Sequence, residues 1–160
     1  MTTLYIIRHG IAAERGTYEN DGDRPLTDRG RDRTRQVAER LAEKLHVALI
    51  LASPLVRARQ TAEILQAAGV GDRLEVSHHL APDGDFQQWL GWLAQWRGET
   101  LAIVGHQPDL GDWAERLLWG SSSGRLEVKK ASVLGLSLPQ NGSPEGQSTL
   151  FWLTPPRLLL

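Results

Sequence analysis

Short apolar runs alternate with amphipathic segments along most of this chain, and that alternation leaves few folds open. "TLYIIR", "VALILAS", "RLEVS" and "TLAIVGH" have strand length and strand composition. The stretches between them carry helical periodicity. From Asp28 to about Leu45, the residues Val37, Ala38, Leu41, Ala42 and Leu45 recur at steps of three and four, with Arg and Glu on the other face. Ser53-Pro54 reads as a helix start, with Ser53 as N-cap and Pro54 in the first helical position. That helix is expected to run to about Ala68 and stop at Gly69. "DFQQWLGWLAQW" puts Phe86, Trp89, Leu90 and Leu93 on one side, with Asp85 placed to cap it. "DLGDWAERLLWG" turns Leu110, Trp113, Ala114 and Leu117 inward and ends at Gly120.

Strands alternating with helices predict an α/β fold, a three-layer sandwich with a mostly parallel central sheet and helices on both faces. The last third breaks the pattern. "ASVLGLSL" and "STLFWLT" flank the turn-rich "PQNGSPEGQ", which predicts a C-terminal antiparallel hairpin at a sheet edge. The tail "PPRLLL" is left unassigned. No linker interrupts the pattern, and 160 residues suit one hydrophobic core, so residues 1–160 are read as one domain.

Charge and composition then exclude several function classes. The formal net charge is −1 with both signs interspersed, which argues against a nucleic-acid partner held by bulk positive charge. There is no cysteine, so disulfides, thiolate catalysis and Cys-type zinc sites are out. The acidic loop "ENDGD" lacks the Asp-x-Asp-x-Asp-Gly order of a calcium loop, and no metal or other cofactor is expected. The N-terminus has no signal-peptide pattern, and no run is long enough to span a bilayer; a cytoplasmic protein without a membrane partner is expected.

Open parallel sheets bind ligands beyond the carboxyl ends of their strands. Three predicted strands end in useful chemistry there. "LYII" delivers Arg8, His9 and Gly10; "ALILA" delivers Ser53 and, one turn into the next helix, Arg57; "LAIV" delivers Gly105 and His106. Any one of these junctions is also what an ordinary solvated strand end looks like. Their coincidence is what counts. Two Arg forks match phosphate oxygens and keep their charge, and the helix N-termini behind Ser53 and His106 add free N–H groups. A small dense anion, phosphate above all, is the expected guest. Neutral imidazole can attack phosphorus and carry the phosphoryl group covalently. Neighbouring Arg charges disfavour imidazolium, and a bond from the other ring nitrogen to a carbonyl would fix the tautomer. Gly10 lets the backbone bend close to the ligand. His106 would stabilise charge on the transferring oxygens, where a well-placed donor is worth roughly 3–4 kcal/mol.

With these residues in place, the chain resembles the histidine phosphatase superfamily, the phosphoglycerate mutase-like proteins. "RHG", "RPLTDRG", "SPLVRARQTA" and "VGHQPDL" follow that family's motif order across nearly the whole chain. The short length, "LAPDGD" and the closing "KKASVLGLSL" and "LFWLTPP" look like its SixA branch of bacterial phosphohistidine phosphatases. The resemblance implies His9 as nucleophile, Arg8 and Arg57 as phosphoryl clamps, and His106 completing the pocket. It implies substrate-binding parts for Gly10, Ser53, Arg24 and Thr27, while Gly105 serves geometry. Larger members carry a Glu as general acid in an insertion. Here "HLAPDGDFQQ" offers Asp83, with Asp85, Glu14 and the acids of "ENDGD" as other sources.

A phosphoramidate leaves readily once its nitrogen is protonated, which fits a chain without an obvious acid. The small size leaves little room for a lid, which suits a side chain presented on another protein. The expected partner is therefore a phosphorylated protein of the histidine-phosphotransfer type, dephosphorylated through a covalent enzyme intermediate. A phosphatase for small phosphate esters and a non-catalytic phosphate-binding module are the alternatives. Phosphate, tungstate or vanadate would serve as ligand analogues.

Overall fold

The computed structural model describes residues 1–160. Six strands form one sheet: β1 (Thr2–Arg8), β2 (Val47–Ala52), β3 (Gly71–Val76), β4 (Thr100–Gly105), β5 (Val133–Leu138) and β6 (Thr149–Thr154). Their spatial order is β3-β2-β4-β1-β5-β6. The first four run parallel, while β5 lies antiparallel to β1 and β6 antiparallel to β5. The C-terminal hairpin thus extends one edge, as the turn-rich connection predicts.

Alternation along the buried strands feeds two cores. Leu4 and Ile6 of β1 and Leu101 and Ile103 of β4 face a cluster with Trp89, Trp113 and Leu117. Ile7, Ala102 and Val104 face Val37, Leu41, Ala58 and Leu65. The first cluster is covered by α3 (Phe86–Gln95) and α4 (Asp109–Trp119), the second by α1 (Asp28–Ala42) and α2 (Val56–Ala67). This is the three-layer α/β arrangement. Phe86, Trp89 and Trp113 pack ring against ring, with centroids 5.1–6.0 Å apart. No helix is long and apolar enough to cross a membrane.

The ends of the helices show where local signals held. Asp85 caps α3, accepting from the N–H of Gln87 and Gln88. Gly120 closes α4 in the left-handed region at φ 81°. Two boundaries move. α1 ends at Ala42, though Leu45 still reaches the core. α2 begins at Val56 with Leu55 as its N-cap, so Ser53 is not the cap. Its hydroxyl is claimed by a tertiary partner described below. The tail docks: a short 3-10 turn at Pro156–Leu158 sets Leu159 into the α1/α2 core.

Candidate active site

Register builds the floor of the site. Arg8 of β1 pairs with Gly105 of β4, and Ala52 of β2 pairs with Val104. The ladder continues one residue further on both sides. The His9 N–H donates to the Gly105 carbonyl (3.1 Å), and the Ser53 N–H donates to the Val104 carbonyl (2.9 Å). His9, His106 and Ser53 are therefore carried side by side at one rim of the sheet. The two imidazole centroids lie 5.2 Å apart. They edge a cavity of about 490 Å³ whose walls also include Arg8, Arg24, Arg57 and Lys130.

His9 is held by a single bond that settles its tautomer. Nδ1 lies 2.7 Å from the Gly10 carbonyl oxygen, which can only accept, so Nδ1 carries the proton. Nε2 is left with its lone pair. Burial drives the His9 pKa down to about 2; the Gly10 bond opposes this, and the charges of His106, Arg57 and Arg8 reinforce it. His106 is lowered to about 4 by burial first and then by Arg57 and Arg8. Both rings are neutral at physiological pH.

Ser53 supports His106 rather than facing the cavity. It is fully buried, and its Oγ lies 2.7 Å from His106 Nε2. The same oxygen accepts from the Leu55 N–H at 3.3 Å, so its own proton is free to go to Nε2. Where the Ser53 hydroxyl donates to Nε2, the His106 proton sits on Nδ1, which is buried and has no partner in the protein. Helix-start logic reads Ser53 as a cap because its neighbour is proline; the strand register gives the hydroxyl a better bond.

The guanidinium groups are anchored from behind. Arg8 donates from Nη1 to the Val128 carbonyl at 3.0 Å. Arg57 donates from Nη1 to the Asp21 carbonyl (3.0 Å) and from Nη2 to the Asp21 carboxylate (3.3 Å). Nε of both is buried without a partner, leaving donors for an anion. Arg24 donates to Asp21 (2.8 Å) and to the Ala13 carbonyl (2.6 Å), and its head borders the same cavity. The bond from Arg24 holds the Asp21 carboxyl below its usual range, with the charges of Arg24 and Arg57 adding to it. Asp21 is thus committed to positioning cations, which removes this acid of "ENDGD" as a proton source.

Thr61 ties the halves together. Its hydroxyl accepts from the Gly10 N–H (3.0 Å) and donates to the Arg57 carbonyl (2.8 Å). Gly10 itself does not line the cavity. A Cβ there would overlap Thr34 Oγ1, so glycine is required by packing against α1 rather than by ligand approach. Thr27 is likewise no wall of the cavity: it caps α1, accepting from the Gly30 N–H at 2.9 Å.

Among the acids, Glu14 and Asp83 do border the cavity, as does Asp109, which sequence reasoning passed over inside "VGHQPDL". Asp83 has a left-handed φ of 62° and donates its N–H to the Asp109 carboxylate at 2.8 Å. Burial raises the Asp109 pKa; the Asp83 N–H opposes, and the charges of Asp83 and Asp112 add to the rise. Lys130 was legible only as part of "KKAS". Its pKa is lowered by burial and then by Arg8, Arg24, Arg15 and Arg57, which marks it as one cation among several. No three His, Asp or Glu side chains gather with a metal's spacing.

A doubly wound sheet with two neutral imidazoles and two back-anchored guanidiniums at its carboxyl rim makes a site suited to a small oxyanion. The chain belongs to the histidine phosphatase superfamily (branch 1), whose description matches residues 4–92. Within it the chain is of the SixA type, a phosphatase-class hydrolase. It is 48% identical over 165 residues to an uncharacterized protein of Picosynechococcus sp., covering 98% of both chains. It is 29% identical over 145 residues to the phosphohistidine phosphatase SixA of Escherichia coli K12, covering 88% of this chain and 89% of that one. The solved structure of the protein histidine phosphatase SixA complexed with tungstate superposes with a TM-score of 0.85 at 26% identity, covering 99% of this chain and all of the other.

Proposed function

We propose that residues 1–160 act as one histidine-phosphatase domain that removes the phosphoryl group from phosphohistidine on a protein of the phosphotransfer type. The observation that carries this is the Nδ1–H bond from His9 to the Gly10 carbonyl, which leaves Nε2 a neutral, aimed nucleophile beside unpartnered guanidinium donors. The name of the Escherichia coli relative and the tungstate in the SixA structure support the substrate class and the phosphate-like ligand.

In the first step, His9 Nε2 attacks phosphorus and the bond from phosphorus to the substrate nitrogen breaks. Arg8, Arg57 and the Nδ1–H of His106 take the charge on the transferring oxygens, each well-placed donor contributing roughly 3 kcal/mol. The leaving imidazole takes a proton from the acidic wall. Asp109 fits this part best, because burial favours its protonated form; Asp83 and Glu14 face the same cavity. In the second step, water attacks phosphorus, the bond to Nε2 breaks and the carboxylate takes back a proton. His9 is regenerated and phosphate leaves.

The test joins labelling to turnover. His9→Ala is expected to lose at least about a thousandfold in kcat and all acid-labile labelling by a phosphodonor. Full activity in that variant would refute the mechanism. Side-by-side kinetics on a phosphohistidine protein and a panel of sugar phosphates decide the substrate. A higher kcat/KM for the sugars returns the small-ester reading, and tight phosphate binding without turnover returns the binding module.

A further inference from the structure

Across Arg8 from the catalytic cavity lies a second hollow of about 360 Å³. One wall is α1, with Arg33 and Thr34; the other is the segment before β5, with Glu127, Lys129 and Lys130. Arg8 and Lys130 line both hollows, so the two adjoin. The charge here is lopsided. Arg8, Arg33, Lys129 and Lys130 face one carboxylate, Glu127, although the whole chain carries a net −1. None of the five takes part in an ion pair, so the four cations are not neutralised by protein carboxylates. Thr34 is 2% exposed, and its hydroxyl has no partner. Cations that serve only solubility have no reason to converge on one hollow and share an arginine with the active site.

We propose that this groove receives carboxylates of an acidic segment flanking the phosphorylated histidine in the protein substrate. The inference rests on the phosphohistidine reading and names what the substrate carries beside the phosphoryl group. An extended chain advances about 3.3 Å per residue, so an Asp or Glu two or three residues from the phosphohistidine lies roughly 7–10 Å away, in the adjoining hollow. Arg33 and Lys129 would meet it at the rim, where opposite charge contributes to recognition more than to overall affinity. A nucleic-acid backbone is the poorer occupant: it needs a long basic stripe, and Glu127 interrupts this one.

The experiment measures binding of two fluorescent peptides carrying a non-hydrolysable phosphohistidine analogue, one with Asp and Glu flanks and one with Asn and Gln flanks. The acidic peptide is expected to bind about tenfold tighter at low salt, and the difference to shrink at high salt. In the Arg33→Glu, Lys129→Glu double variant the preference disappears, while turnover of p-nitrophenyl phosphate stays unchanged and shows the fold intact. Equal binding of the two peptides, or a preference that survives the double variant, overturns the proposal. So does tighter binding of a single-stranded oligonucleotide of the same length. Failure of the phosphohistidine reading registers separately, as absent turnover of natural phosphohistidine peptides, because the flank comparison needs no chemistry.

Discussion

The floor of the catalytic cavity and its rim are built by different rules. Arg8, His9, Ser53, Arg57 and His106 sit at the ends of adjacent parallel strands or in the first turn of α2, and each is tied to backbone or to a buried hydroxyl. Glu14, Arg15, Asp21, Asp83, Asp109 and Lys130 belong to connections or to the first turn of α4, and they line the outer walls. The floor therefore has one geometry, fixed by strand register, and suits chemistry that every phosphoryl substrate shares. In the proposed mechanism the rim answers to the leaving group and to whatever carries it. A substitution in the floor should damage all substrates alike; one in the rim should discriminate between them.

The largest effect that would break this contrast lies at Arg57. Arg57→Ala is expected to lower kcat/KM by about a hundredfold to a thousandfold on every phosphoryl donor, and Arg57→Lys to recover little, because a lysine cannot reproduce the fork. Substrate-dependent losses measured by steady-state kinetics would move Arg57 from the floor to the rim. Next comes Asp109→Asn. On alkyl phosphates, whose leaving oxygen needs a proton, the expected loss is about a hundredfold; on p-nitrophenyl phosphate it is under about threefold. A loss independent of leaving group would mean that Asp109 only holds the Asp83 loop.

The smallest effect is the pH response of the floor. His9 is lowered to about 2 and His106 to about 4, so neither ring should titrate by NMR between pH 5 and 8. His46, raised by its bond to Asp72, should titrate above the usual imidazole value. The linkage has a definite sign. Below about 6.5 the unfolded chain binds protons that folded His106 refuses, so stability falls as pH drops from there to about 4. His106→Gln should flatten that part of the thermal-stability profile by up to roughly 3 kcal/mol. An unchanged profile would mean that the ring titrates alike in the folded and the unfolded chain.

The floor was legible in the sequence for the same reason that it is rigid. Apolar runs that stop at Arg8-His9-Gly10, at Ser53 and at Gly105-His106 announce both the strands and what the strands deliver. The rim was not. Asp109 lies three residues past His106, and nothing in the periodicity turns its carboxylate toward Asp83. Lys130 reads as one charge of a polar stretch until β5 folds back beside β1 and brings it to Arg8. Gly10, Ser53 and Thr27 show a subtler miss. Each residue type was noticed, but Gly10 answers to Thr34, Ser53 to His106, and Thr27 to the N–H of Gly30.

By itself, then, the order of residues determined the strands, the helices and the four groups at the carboxyl rim, because hydrophobic periodicity and strand-end chemistry are local properties. Tertiary structure alone decided which group His106 bonds, which carboxylate is spent on Arg57 and which carboxylates face the cavity. Those outcomes depend on hydrogen bonds between segments 26 to 53 positions apart, such as Asp83 with Asp109, Arg57 with Asp21 and His106 with Ser53, and no local pattern encodes them.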